Sequence, residues 1–182
     1  MTSKKLEAKN SKIIPAGLLE INGLGVLILG DSGVGKSESA LELITRGHRF
    51  VADDVVLVKK TRSGKLRGRA PEVARHFMEL RGLGLINIKE IFGKKAISYS
   101  VPIDLAIYLK RWHRGDEFDR IGLEFPEDYE ILGVKIPQLI IPVAPGRNIA
   151  TLIEIACRVH RLRQKGYLAS REIVKRMEKR MK

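Results

Sequence analysis

Eight consecutive residues, Gly30-Asp31-Ser32-Gly33-Val34-Gly35-Lys36-Ser37, fit the pattern GxxxxGK[ST] and supply several means of holding a polyphosphate. Gly30 lets the chain turn sharply, and Gly33 and Gly35 permit backbone conformations that aim successive N–H groups at phosphate oxygens. Lys36 adds a mobile positive charge for the outer phosphates, and the Ser37 hydroxyl is an oxygen donor of the kind that Mg²⁺ takes. A helix starting near Lys36 would bring its positive dipole end to the same place. The chemistry expected of these eight residues is binding of a Mg-nucleotide by its β and γ phosphates.

Moving a phosphoryl group needs a second centre: a carboxylate to orient or deprotonate the acceptor, and further charge to stabilise the transition state. The adjacent pair Asp53-Asp54 is the candidate. On an extended strand, neighbouring side chains point to opposite faces, so the pair divides the work. One carboxylate sits near the acceptor; the other faces metal, solvent or a backbone group. Glu79 and Arg81 in "ELRGLG", Arg120 in "EFDRIG" and Arg147 in "PGRN" are further candidates by residue type. A single arginine is most often a surface ion-pair partner, so spacing alone assigns none of them a role. His48, His76, His113 and His160 read as structural or exposed.

The elements around these residues can be read from pattern. "AGLLEI" and "GVLILG" are two short strands joined at Asn22-Gly23, a strong hairpin dipeptide. The second strand ends at Gly30. From Lys36, "KSESALELITRG" puts Ala40, Leu41, Leu43 and Ile44 on one side of a helix, with Gly47 as its stop. "HRFVADDVVLVKK" reads as a strand opening into a hairpin through "TRSGKL", with Asp53 and Asp54 at its middle or at a bend. Pro71 starts a short candidate helix, "PEVARHFMEL". "LINIKEIFG" is a short apolar segment, "VPIDLAIYLKRW" a strand, and the stretch from Glu124 to Asn148 two strand-like runs punctuated by prolines. Asn148 caps a long amphipathic helix on which Ile149, Leu152, Ile153, Ala156, Val159 and Leu162 keep helical spacing, and Gly166 ends it. A shorter basic helix closes the chain. Strands outnumber helices and several are hairpin partners, so the expected fold is α/β with a mixed sheet.

At 182 residues the chain has the size of one domain with a core of its own. Its 44% hydrophobic and 30% charged residues exclude a disordered chain. A formal net charge of +13 favours anionic partners, although many of the cations sit in the two tails. The lone Cys157 excludes an internal disulfide and, lying in an apolar-periodic segment, reads as a buried inert thiol. No apolar run approaches the length of a membrane span, so a cytoplasmic protein without membrane association is expected. Aromatic residues are only 5%, and no helix-turn-helix or zinc-finger pattern occurs, so a nucleic-acid partner is disfavoured. The residues alone leave the acceptor open between a protein and a small hydroxyl compound. A non-catalytic nucleotide sensor or a nucleic-acid-binding module is the lesser alternative.

"GDSGVGKSESALELITRGHRFVADD", "ELRGLGLINI" with "IFG" after it, "FDRIG" and "PVAPGRN" occur in this order, and together they resemble the catalytic domain of bacterial HPr kinase/phosphorylase. The likeness runs from about Gly17 to Gly166, and ordered motifs are more specific than a phosphate loop alone. The resemblance implies transfer of the ATP γ-phosphate to a serine of HPr, the small phosphocarrier of the sugar phosphotransferase system. It also implies phosphorolysis of phosphoserine-HPr by inorganic phosphate, releasing pyrophosphate. By the same resemblance Asp54 is the base for phosphorylation and the acid for dephosphorylation. Ser37 and Glu79 bind Mg²⁺, Lys36 contacts phosphate, and Arg120 belongs to the active site. The segment from Ile141 to Gly146 is linked chiefly to the phosphorylase direction. A nucleotide fold similar to that of phosphoenolpyruvate carboxykinase is implied too, as is a hexamer in which C-terminal helices reach toward neighbouring subunits. Many relatives carry a histidine-glycine pair where Pro15-Ala16 stands here. Full-length members have a further N-terminal domain. Here residues 1–12 are expected to be a flexible charged lead and 13–182 the P-loop kinase catalytic domain with C-terminal helices, either as a naturally short form or as the catalytic half of a longer chain.

Overall fold

The computed structural model describes residues 10–113 and 125–180. Strand β1 (Ser11–Ile14) begins two residues inside the stretch read as a lead. β2 (Gly17–Ile21) and β3 (Leu24–Gly30) form the expected hairpin, with Asn22 and Gly23 at φ 50° and 75° in its two-residue turn. Helix α1 (Lys36–Thr45) buries Ser39, Ala40, Leu43 and Ile44, with Leu41 packed alongside, and ends before Gly47.

The run from His48 to Lys60 is two strands, not one. β4 (Arg49–Ala52) lies beside β2, whereas β5 (Val56–Lys60) pairs with β1 in another sheet. The break falls on the two aspartates. Val55 N–H donates to the Asp53 carbonyl at 2.7 Å, closing a tight turn centred on Asp54 at φ 60°. Of the two placements expected for the pair, the bend is the one found. β6 (Leu66–Arg69) then completes the hairpin with β5.

The helix expected at Pro71 does not form. A single 3₁₀ turn, Glu72–Ala74, gives way to β7 (Phe77–Leu80), hairpinned to β8 (Gly84–Asn87). The apolar pattern explains this: Met78 and Leu80 are buried while Phe77 and Glu79 face out, which is period two. Val73, needed for a helical stripe, is 89% exposed. Asn87 caps the short α2 (Ile88–Phe92) by accepting from the N–H groups of Lys89 and Glu90.

β9 (Val101–Pro102) and β10 (Leu105–Arg111) follow. The proline-punctuated stretch holds three strands where two were expected: β11 (Tyr129–Ile131), β12 (Val134–Ile136) and β13 (Gln138–Val143). Asn148 caps α3 (Ile149–Gln164) by accepting from Thr151 N–H at 2.8 Å. The fully buried stripe of α3 is Ala150, Ile153, Cys157 and His160, rotated from the expected one, and Leu162 is exposed. The basic helix α4 (Ala169–Arg180) closes the described chain.

The central sheet is mixed, in the order β13-β10-β3-β2-β4, with β13, β10 and β3 parallel and β2 antiparallel to both neighbours. A second, antiparallel sheet has the order β1-β5-β6-β9. Leu19, Ile21, Val26 and Ile28 pack toward α1 and α3, and Leu18, Leu27 and Leu29 toward Val56, Val58 and Leu66 of the second sheet. Both faces of β2 and β3 are therefore covered, which is why these strands read as nearly continuous apolar runs. The layers meet closely at Gly25, where a Cβ would lie 1.7 Å from the Pro102 carbonyl oxygen. Gly30, in register with Leu109, ends β3 at the carboxyl edge of the parallel strands, where crevices form in such sheets.

Candidate active site

The loop between β3 and α1 rims a cavity of about 480 Å³ lined by Gly30, Ser32, Gly33, Gly35, Lys36 and Ser37. Asp54, Glu79 and Arg81 line it too, together with Pro15 and Glu38. The loop is held from within. Lys36 Nζ donates to the carbonyls of Gly30 and Asp31 at 2.8 and 2.9 Å, and Val34 N–H donates to the Asp31 carbonyl at 3.3 Å. Val34 itself is buried in the core, and Asp31 points outward, where its carboxylate accepts from the Tyr108 hydroxyl at 3.4 Å. Neither side chain lines the cavity.

The aspartate bend divides the two carboxylates. Asp53 is buried, and the Ser37 hydroxyl donates to its Oδ2 at 3.1 Å. Burial, and then the charge of Asp54, push the Asp53 carboxyl up to about 6; hydrogen bonds from Ser37 and from the backbone at Asp54 and Glu79 pull the other way. Asp54 stands exposed on the cavity wall. The division expected from strand pleating is present, but its cause is a left-handed residue, not alternation along a strand. The Asp54 carbonyl accepts from Ala16 N–H at 3.2 Å, which brings neighbouring Pro15 to the cavity.

Glu79 and Arg81 reach the cavity from β7 and the turn after it. Arg147 does not line it; its guanidinium donates to the Pro142 carbonyl at 2.8 Å at the end of β13. Arg120 and the rest of "FDRIG" lie outside the described residues. Helix α1, which carries Lys36 and Ser37, is braced against α3. Arg46 and His48 hold Glu154 at 2.8 and 2.9 Å, and Asn148 donates to Glu42 at 2.8 Å. The bonds from Arg46, foremost, and His48 hold the Glu154 carboxyl below its ordinary range.

Residues 7–177 match the family model of the HPr Serine kinase C-terminal domain. This chain belongs to that family. The HPr kinase/phosphorylase of Thermoanaerobacter sp. (strain X514) is 49% identical over 167 residues, which is 91% of this chain and 54% of the relative. That of Geobacter sulfurreducens is 51% identical over 164 residues, 90% of this chain and 51% of the relative. The HPr(Ser) kinase/phosphatase from Coxiella burnetii has a similar structure, with a TM-score of 0.79 at 35% identity, covering 89% of this chain and 98% of that one. The chain spans about half the length of the curated relatives it matches.

One feature of this HPr serine kinase C-terminal domain was not foreseen from sequence. Arg111, the last residue of β10, donates to the Gly33 carbonyl at 2.7 Å. The only available signal for Arg111 was that its strand ends beside β3, a fact of pairing and not of local spacing.

Proposed function

We propose that this chain is the catalytic half of an ATP-dependent, Mg²⁺-requiring serine kinase that phosphorylates the phosphocarrier HPr, or a close paralogue, in the cytoplasm. The same site runs the reverse reaction, phosphorolysis of phosphoserine-HPr. The observation that carries the reading is the meeting of three groups in one cavity: a GxxxxGK[ST] loop, a carboxylate set in a left-handed bend, and a second carboxylate on a neighbouring strand.

In the forward direction Asp54 takes the proton of the acceptor serine as its oxygen attacks the γ-phosphorus. The bond to the β,γ-bridging oxygen breaks and ADP leaves. In reverse, a phosphate oxygen attacks the phosphoserine phosphorus, the bond from phosphorus to the serine oxygen breaks, protonated Asp54 gives its proton to that oxygen, and the pyrophosphate formed is released. The loop amides and Lys36 hold the phosphate chain, and Arg81 and Arg120 are proposed as supporting cations.

The oxygen donors fit Mg²⁺: Ser37 and Asp53 are in contact and Glu79 lines the same cavity. Among the described residues no three His, Cys, Asp or Glu side chains converge into a metal cage. That suits an ion normally held by one or two carboxylates plus substrate phosphates, where it neutralises charge on the transferring group. A fold related to phosphoenolpyruvate carboxykinase and a hexameric assembly belong to the same reading. Sedimentation of the purified protein tests the hexamer.

Intact mass of HPr, after incubation with this protein, MgATP and then excess inorganic phosphate, tests the function. One phosphate is gained and then lost. Asp54→Asn lowers the transfer rate at least about a hundredfold while MgATP still binds. If HPr gains no phosphate although MgATP binds, HPr is not the acceptor; if Asp54→Asn keeps full activity, Asp54 is not the base.

A further inference from the structure

Arg111 stands two residues beyond Leu109, the register partner of Gly30. Its side chain therefore leaves β10 on the Leu109 side of the sheet, the side against which the glycine loop folds. Among the described residues its one hydrogen-bond partner is the Gly33 carbonyl, at 2.7 Å. The amide at the other end of that peptide unit, Val34 N–H, is held by the Asp31 carbonyl at 3.3 Å. The unit is thus fixed at both ends.

The fixing matters because Gly33 sits at φ 70°, and a glycine lacks the steric barrier that keeps other residues from changing conformation. A freely rotating Gly33–Val34 unit can swing its carbonyl toward the cavity, setting a lone pair where a phosphate oxygen has to sit. An arginine suits the task, since one planar fork binds a carbonyl from a distant strand. Arg81 serves as the contrast. Its Nη2 lies 3.2 Å from where a Gly33 Cβ would stand, yet among the described residues it makes no hydrogen bond or ion pair.

We propose that Arg111 is a positioning residue for the phosphate-binding loop, setting the Gly33–Val34 peptide before any ligand arrives. The inference rests on reading the cavity as a nucleotide site, so its test begins with the ligand-free protein. Amide hydrogen exchange at Val34 is measured by NMR in the wild type and in the Arg111→Ala, Arg111→Lys and Arg81→Ala variants. MgATP binding is then measured by calorimetry on the same four proteins.

Loss of one such hydrogen bond should speed Val34 exchange about tenfold in Arg111→Ala and weaken MgATP binding by a similar factor. Arg111→Lys, which keeps a donor, should recover most of both, and Arg81→Ala should leave exchange unchanged. Melting temperatures separate a local effect from general loosening. Unchanged Val34 exchange in Arg111→Ala overturns the proposal, whatever the nucleotide does. Equal acceleration in Arg81→Ala also overturns it, because loss of nearby charge would then suffice. Faster exchange in Arg111→Ala in a protein whose wild type binds no MgATP keeps the positioning role and sinks the nucleotide reading instead.

Discussion

Asp53 and Asp54 differ by one position in the chain and by most of their environment. Asp53 is 8% exposed, and its carboxyl is pushed from an ordinary 3.8 up to about 6. A carboxylate whose folded-state value is raised holds its proton more tightly when folded, so it costs stability above pH 6 and nothing below about 4. Asp53→Asn removes that cost. The ligand-free variant should be more stable than the wild type by roughly 1–3 kcal/mol at pH 8. The gain should shrink as the pH falls through 6 toward 4. Urea denaturation across that range checks it, and a pH-independent difference would show that burial of the charge is not the cause.

At the scale of elements, the loop depends on α1, and α1 depends on the start of α3. Asn148 serves both: its Oδ1 caps Thr151 N–H and its Nδ2 reaches Glu42 of α1, each at 2.8 Å. Asn148→Ala removes the cap and the strut together and should cost about 1–2 kcal/mol. Asn148→Asp keeps the cap but turns the strut into a like-charge contact with Glu42, so its loss should be smaller and should diminish with added salt. Denaturant titrations of both variants, at low and high salt, test the division. No loss in Asn148→Asp at either salt concentration would mean that the strut contributes nothing, and a loss equal to that of Asn148→Ala at both would mean that the cap contributes nothing.

For the molecule as a whole, the central sheet is apolar on both faces, covered by α1 and α3 on one side and the second sheet on the other. Cys157 lies in the helix-side core with no exposed surface, and burial pushes its thiol up to about 12. Its reaction with a disulfide reagent at pH 8 therefore needs both opening of the core and ionisation. The reaction should be immeasurably slow in the native protein and reach the free-thiol rate only in denaturant, following global unfolding. Fast native-state labelling would show that α3 opens independently of the sheet.

Much of the site's inventory was written in the sequence, because the chemistry of a phosphate loop is local. Its glycines, Lys36 and Ser37 must be consecutive, preceded by a strand and followed by a helix, and each of these is a short-range pattern. The Asn22-Gly23 hairpin, the Asn148 cap and the Gly166 stop were legible for the same reason. What the sequence did not reveal depends on distant partners. The run from His48 to Lys60 left Asp53 and Asp54 open between a strand's middle and a bend, and the bend is found because the strands on its two sides are recruited by different sheets. Phe77 to Leu80 is a strand because Met78 and Leu80 find a core, overriding a helix start at Pro71. The reach of Arg111 to Gly33 follows from the pairing of β10 with β3. Residue type and spacing determined which chemistry is proposed for the chain. Only the packing of two sheets around β2 and β3 decided which side chains meet there, because those contacts join residues tens of positions apart with no short-range signal between them.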